Sequence, residues 1–264
     1  MIDGSIPLRP LMLNPLPLEV PPFGETPFEE MVLHYCFAMS GKDCDEVLLH
    51  GARSLSAARA AMLAAGELGL SCSVAFVCDE NGEMPAGGDV LAALIVMEGM
   101  GVKSFGLCCS KEVAEEQLAR IASCASMPLF WMEGEERHEF TYTMIPHDPD
   151  VIPCAGCAEA RFITADVDMC AEIECSPDLL EDIICAEDEP GGALKIMILE
   201  EDDLDIFAEH QYAVRDALCL WADVPELMEK ALRLYQGRAF YDGTGDLEDD
   251  FLQEMTRKYG LVVL

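Results

Sequence analysis

The residues of this chain best suited to chemistry are cysteines near the ends of apolar segments. Cys108 and Cys109 stand at the carboxyl end of a predicted strand over residues 104–109. Cys154 and Cys157 form a Cys-x-x-Cys motif in a stretch rich in glycine and proline. Three thiolates from these two places can bind a zinc ion and leave a fourth position open to a substrate. A small thiol bound there would be a thiolate at neutral pH, and therefore a nucleophile that accepts a methyl group.

Two other interpretations of these cysteines stay open on the sequence alone. The chain has 13 cysteines, and free cysteine often packs inside proteins as a small hydrophobic residue. The motif from Cys154 to Cys157 also has the spacing of a redox pair, although no thioredoxin-like order of elements surrounds it. The odd number of cysteines, and their positions in apolar segments, argue against a complete disulfide framework. Most of them are therefore expected to be reduced thiols.

The composition excludes several classes of function. The formal net charge is −34, from 16 basic and 50 acidic residues. Nucleic-acid binding needs a basic face, and anionic membrane surfaces repel an acidic chain, so neither is an expected partner. The longest apolar segments are too short to cross a bilayer, and no secretory signal pattern is visible, so we expect a cytoplasmic protein. The acidic surface is expected to maintain solubility, and docking of a basic partner is the alternative.

The elements that must position the cysteines alternate regularly along the chain. Short continuous apolar runs are typical of buried parallel strands, and the amphipathic segments between them are typical of helices that cover a sheet. Ser54 and Ser110 each precede a helical segment and are predicted N-caps. The alternation breaks between Glu133 and Ile163. Strands are predicted near residues 46–50, 71–78, 104–109, 128–132, 194–199, 217–221, 238–241 and 261–264.

This order predicts an α/β fold of TIM-barrel-like (β/α) repeats with parallel strands, as an atypical or incomplete barrel. Residues 1–165 and 166–264 are predicted to be two portions packed into one compact unit, and two smaller lobes meeting near residue 165 are the main alternative. Because residues 133–163 contain no predicted helix, closure by the usual barrel order is not expected. Such folds place ligands at the carboxyl ends of their strands, where Cys108 and Cys109 lie.

The chain resembles the homocysteine S-methyltransferase family, the thiol-activating module that is also found in cobalamin-dependent methionine synthase. This resemblance covers about residues 5–160. Residues 194–264 have a weaker resemblance to strands of the methyltetrahydrofolate-binding barrel of methionine synthase. The segments that carry the first resemblance are Thr26–Met31, Glu46–Leu49, Ser54–Ala61, Val74–Phe76, Asp79–Gly82 and Gly101–Ser110.

The resemblance implies zinc-dependent methyl transfer to a small thiol such as homocysteine. It places the first zinc ligand at Cys109 and the later ligands at Cys154 and Cys157. Gly156 stands where the family has one of two adjacent cysteines, and Gly51 stands where it has a substrate-binding glutamate. The partners implied are a small thiol and a methyl donor, and the cofactor implied is zinc.

These departures support a second hypothesis, a catalytically inactive binding or scaffolding subunit of a methyltransferase or corrinoid system. Trp221 and Asp242 stand where the folate barrel has a strand acid and an asparagine. The last residues, 261–264, are predicted to form a strand, and the free edge of a strand favours pairing with another chain. The partner on this hypothesis is a corrinoid or methyltransferase protein, or a second copy of the chain.

Overall fold

The computed structural model of the chain describes residues 10–15, 27–145, 148–188 and 191–264. Within these ranges the strands form a six-stranded sheet, a five-stranded sheet and a two-stranded hairpin. The predicted α/β class with parallel strands is confirmed. The two larger sheets are separate hydrogen-bonded units in the described residues, rather than one closed barrel. No helix in these ranges has the length and apolar character required to span a bilayer.

The first sheet follows the order of the chain. Strands β1 to β5 are parallel, and β6 pairs antiparallel with β5 through a two-residue turn at Gly134 and Glu135. Gly134 has a φ of 62°, which glycine adopts without strain. The strands are β1 (Leu11–Leu13), β2 (Glu46–Ala52), β3 (Ser71–Val77), β4 (Ser104–Cys108), β5 (Leu129–Glu133) and β6 (Glu136–Phe140).

The helices between these strands begin largely where the sequence predicts. The Ser54 hydroxyl accepts a hydrogen bond from the Ala57 amide at 3.2 Å, and the Ser110 hydroxyl accepts one from the Val113 amide at 3.4 Å, so both predicted N-caps are confirmed. Thr26, the first residue of the segment Thr26–Met31 named above, lies outside the described residues. The helices are α1 (Phe28–Met39), α2 (Leu55–Glu67), α3 (Val90–Gly99) and α4 (Lys111–Ile121), with a short 3-10 helix over Ala122–Cys124.

The second half begins with elements that the sequence did not predict. Strands β7 (Ile152–Ala155) and β8 (Ala160–Ile163) form the two-stranded hairpin, and β9 (Met169–Glu174) is the edge strand of the second sheet. All neighbours in that sheet are parallel. The remaining elements are α5 (Leu179–Glu187), β10 (Ala193–Met197), α6 (Glu201–His210), a 3-10 helix over Gln211–Ala213, β11 (Ala217–Trp221), α7 (Pro225–Leu234), β12 (Phe240–Tyr241), α8 (Asp249–Tyr259) and β13 (Val262–Val263).

The two halves share an apolar core, and Arg59 makes a buried polar contact between them. The largest cluster of buried side chains includes residues of both large sheets and of the helices that cover them. Arg59 of α2 has no exposed surface. Its guanidinium donates hydrogen bonds to the carbonyl oxygens of Leu232 at 2.9 Å and Arg233 at 3.3 Å, at the end of α7. These bonds satisfy carbonyl groups that a helix terminus leaves without intrahelical partners.

Candidate functional site

Two cysteine thiols face each other just beyond the carboxyl ends of β3 and β4. The last paired residues of these strands are Val77 and Cys108, so Cys78 and Cys109 follow in the same register. The two Sγ atoms lie 3.9 Å apart. Cys78 is 7 % exposed, and Cys109 is partly buried. These two residues, called the edge thiols below, lie at the edge of the sheet where α/β folds bind ligands.

The contact makes the two thiols unequal in acidity. The hydrogen bond from Cys78 is the largest cause that lowers the pKa of the Cys109 thiol below its usual value, although burial opposes it. The same hydrogen bond, followed by burial, raises the pKa of the Cys78 thiol. Cys109 is therefore the member of the pair that loses its proton first, and a thiolate is the reactive form of cysteine.

The neighbouring Cys108 belongs to the opposite face of the sheet. Side chains of successive strand residues alternate between the two faces. Cys108 packs against the small apolar cluster that contains Leu48 and Phe130, whereas Cys109 packs against the main core. Burial raises the pKa of Cys108 to about 11. The adjacent cysteines therefore contribute one thiol, not two, to the contact with Cys78.

Hydrogen bonds hold the turn that follows β3, next to Cys78, and tie it to α4. The Asp79 carboxylate accepts a hydrogen bond from the Glu83 amide at 3.0 Å and closes the turn after β3. Gln117 of α4 is 4 % exposed and donates to the Glu80 carbonyl at 2.9 Å. The strand ladder fixes the backbone before the edge thiols, and these bonds fix it after Cys78.

The other two predicted zinc ligands lie on the β7–β8 hairpin, in different surroundings. Cys154 has no exposed surface and packs in an apolar cluster with Ile163 and Phe240. Burial raises its pKa to about 12. Burial also raises the pKa of Cys157 to about 12, and the nearby Arg59 guanidinium opposes this rise. A buried guanidinium disfavours a metal cation beside it, since like charges repel strongly where water is excluded.

The three predicted zinc ligands, Cys109, Cys154 and Cys157, lie in different surroundings. No group of three or more His, Cys, Asp or Glu side chains within residues 10–15, 27–145, 148–188 and 191–264 is placed to hold a metal ion. Cys109 contacts Cys78, while Cys154 is enclosed by apolar side chains. Zinc binding by these three residues stays a prediction that metal analysis can test.

Glycine has a structural reason at two positions where the resemblance implies another residue. Gly51, at the position of the expected glutamate, has a φ of 79° beside a register shift in β2, a backbone conformation that strains other residues. Gly156 stands where a second adjacent cysteine is expected. A Cβ atom there would lie 2.8 Å from the carbonyl oxygen of Val214. A side chain would therefore be strained by the backbone at position 51 and would meet a backbone oxygen at position 156.

A second polar cluster lies on the five-stranded sheet. Nζ of Lys195 in β10 is 2.9 Å from the Asp242 carboxylate and 3.2 Å from that of Glu172, and the Lys195 side chain is 7 % exposed. The Thr244 hydroxyl lies 3.2 Å from the same nitrogen, and the Trp221 ring centroid lies 5.7 Å from it. Although burial lowers it, the pKa of Lys195 is raised by its bonds to the two carboxylates. The cluster is therefore one lysine bound by two carboxylates, which together keep its ammonium group charged.

No protein-family model matches the chain, and no curated protein matches it either. The resemblance to homocysteine S-methyltransferases thus rests on sequence motifs, and the geometry of the site has to support any functional proposal.

Sequence reasoning missed Cys78 in the first cluster, and Lys195 and Glu172 in the second. Cys78 ends a predicted strand just as Cys109 does, and this shared position is the signal that could have paired them. Lys195 lies inside an apolar strand, and its partner Glu172 lies in β9, which was not predicted. Asp242 was singled out only as a departure from an expected asparagine.

Proposed function

We propose that the protein transfers a methyl group to a small thiol, such as homocysteine, at the edge thiols of the first sheet. One observation carries the proposal: Cys109, the position of the family's first ligand, faces the second thiol, Cys78, at the carboxyl edge of parallel strands. The two sheets are proposed to derive from barrel-type (β/α) repeats, in keeping with the parallel order and with the sequence resemblance.

The proposed reaction uses only the side chains of the edge thiols and assigns no step to zinc. An incoming thiol donates its S–H hydrogen bond to Cys109 Sγ, which orients the substrate sulfur towards the methyl donor. The substrate proton passes to Cys109 as the new sulfur–carbon bond forms. The bond between the methyl carbon and the donor breaks, and its electron pair leaves with the donor. Cys109 thus acts as the general base of the transfer.

A methyl-transfer assay tests this proposal. Homocysteine is offered with a sulfonium, methylcobalamin or methyltetrahydrofolate as donor, and S-methylated product is quantified. Wild type and the control variant Cys124→Ser, which changes a cysteine outside the pair, are expected to form product. Cys109→Ser is expected to be slower by at least about 100-fold, the usual contribution of a general base. Equal rates in the two variants would refute the role of Cys109.

Zinc content, measured on protein purified without chelator, is the companion test. About one zinc per chain in wild type, lost in Cys109→Ser and retained in Cys124→Ser, would support the predicted zinc centre. The mechanism in which Cys109 acts as a base without metal would then be abandoned.

The second candidate function is a catalytically inactive binding subunit of a methyltransferase or corrinoid system. The limits on side chains at Gly51 and Gly156 favour it, since neither family side chain can be accommodated there without strain. This candidate predicts no turnover with any donor, together with calorimetric binding of homocysteine or of a methylated corrinoid. Turnover that depends on Cys109 would exclude it.

A further inference from the structure

We propose that Cys78 and Cys109 form a dithiol–disulfide redox site that low-molecular-weight disulfides oxidise. The two Sγ atoms are 3.9 Å apart. Their residues follow the last in-register pair of two neighbouring parallel strands, which run about 4.8 Å apart. That spacing lies within the Cα separation of roughly 4.4–6.8 Å that disulfides span. Rotation of the two side chains can therefore bring the sulfurs to bonding distance without moving the strands.

The fold favours this pairing over any other. Twelve free cysteines are described, and the contact between the edge thiols is the one hydrogen bond among the described residues that joins two thiols. Cys154 and Cys157, the pair with redox spacing in the sequence, make no such bond. The Asp79 turn and the bond from Gln117 to Glu80 hold the backbone that follows Cys78. The Cys78 sulfur therefore stays close to that of Cys109.

The pair also lies just outside the ladder rather than within it. Strands β3 and β4 end at Val77 and Cys108, so the cysteines follow the last regular pair. A bond there can form and open without breaking ladder hydrogen bonds. Because Cys109 is only partly buried, a small thiol or disulfide can reach its sulfur, as exchange requires.

The exchange proceeds in two steps with a small disulfide RSSR as oxidant. Cys109, the more accessible sulfur, attacks RSSR as a thiolate; a bond to one sulfur forms, the RS–SR bond breaks, and RS⁻ leaves. Cys78 then loses its proton and attacks the Cys109 sulfur, which releases the second RS⁻. Both leaving groups take up protons. Two protein thiols are oxidised to one disulfide, and one RSSR is reduced to two RSH.

Oxidation would also block Cys109 as the base of methyl transfer, a consequence that rests on the proposed function. The redox site itself does not depend on that function, because the disulfide is detected directly on the two cysteines and not through methyl transfer.

The test uses the full chain, reduced and then incubated with oxidised glutathione. The reaction is quenched with acid, free thiols are alkylated, and the cysteine peptides are mapped by mass spectrometry. In wild type we expect a bond between Cys78 and Cys109, with alkylation of Cys109 reduced at least about tenfold. Cys124→Ser is expected to behave as wild type.

Two variants separate the steps. Cys78→Ser leaves no resolving thiol, so glutathione is expected to remain bound to Cys109, and Cys109→Ser should accumulate no glutathione at Cys78. Cys78→Ala serves as a second variant if the serine protein does not fold. A wild-type protein whose edge thiols both stay open to alkylation, or that keeps glutathione on Cys109 as Cys78→Ser does, would overturn the proposal. A protein without methyl transfer but with the mapped disulfide would refute only the proposed function.

Discussion

Replacement of Arg59 by methionine tests how the two halves are held together. Arg59 is fully buried, and its guanidinium bonds the carbonyls of Leu232 and Arg233. Burial lowers its pKa to about 10, which still leaves the group charged at neutral pH. Two hydrogen bonds from a charged donor contribute roughly 3–6 kcal/mol together. Methionine also removes the cost of burying the charge, which offsets part of this contribution. We therefore expect the free energy of unfolding to fall by about 3–5 kcal/mol.

That loss is a large share of the stability of roughly 5–15 kcal/mol typical of native proteins. Urea unfolding followed by circular dichroism measures it, and for a chain of this size the melting temperature should fall by roughly 6–20 °C. Arg53→Met is the matched control, since Arg53 is exposed and the same chemical change at the surface should stay within about 0.5 kcal/mol. If Arg59→Met lost less than about 1 kcal/mol, the contact would not hold the halves together.

Three further predictions concern the ion pair, a close backbone approach and thiol acidity. Lys195→Met removes the partner of the largely buried Asp242 carboxylate and should lower unfolding free energy by about 2–3 kcal/mol. Burial raises the pKa of Asp242 in the folded protein, but the bond to Lys195 lowers it below its value in the unfolded chain. The stabilisation is therefore present above the pKa of the unfolded chain and is lost as the pH falls through the pKa of the folded protein. Asp242→Asn should make the free energy of unfolding less dependent on pH in this acid range. Gly237→Ala places a Cβ 2.1 Å from the Ala155 carbonyl oxygen and should lower the free energy of unfolding by more than about 2 kcal/mol. The control Gly66→Ala, in α2 with open space around it, should raise that free energy by about 0.5–1 kcal/mol. Equal effects of the two substitutions would contradict the predicted clash at Gly237. Iodoacetamide should alkylate Cys109 faster than Cys78, and Cys78→Ala should move the midpoint of the Cys109 rate profile to higher pH, since the hydrogen bond that stabilises the thiolate is lost.

Local signals in the sequence were sufficient for most of the parallel architecture. Apolar runs such as that of β11 have the length and composition of buried strands, and the run from Ala217 to Trp221 is a strand with those bounds. Caps such as Ser54 act within one helical turn, so they can be recognised without knowledge of the tertiary structure. The hairpin β7–β8 and β9 were missed because they are short and contain Pro153 or acidic residues such as Glu172, which are uncommon in strands.

The candidate site was only half predictable. The position of Cys109 at a strand end follows from its own segment. Its contact with Cys78 depends on β3 and β4 being neighbours, which is a property of the sheet order. The motif from Cys154 to Cys157 shows the opposite case, because closeness along the chain did not place both thiols in one polar environment. The limits on side chains at Gly51 and Gly156 likewise arise from the backbone at a register shift and from a tertiary contact.

The sequential strand order also affects how the chain folds. In both large sheets, strands that follow one another along the chain are neighbours in space, so each parallel pairing closes a loop of only one strand–helix unit. Short loops cost little entropy to close, and low contact order is associated with fast folding. Each half can therefore assemble progressively during synthesis. The bond from Arg59 to Leu232, which joins residues 173 positions apart, is expected to form late, when the two completed halves dock.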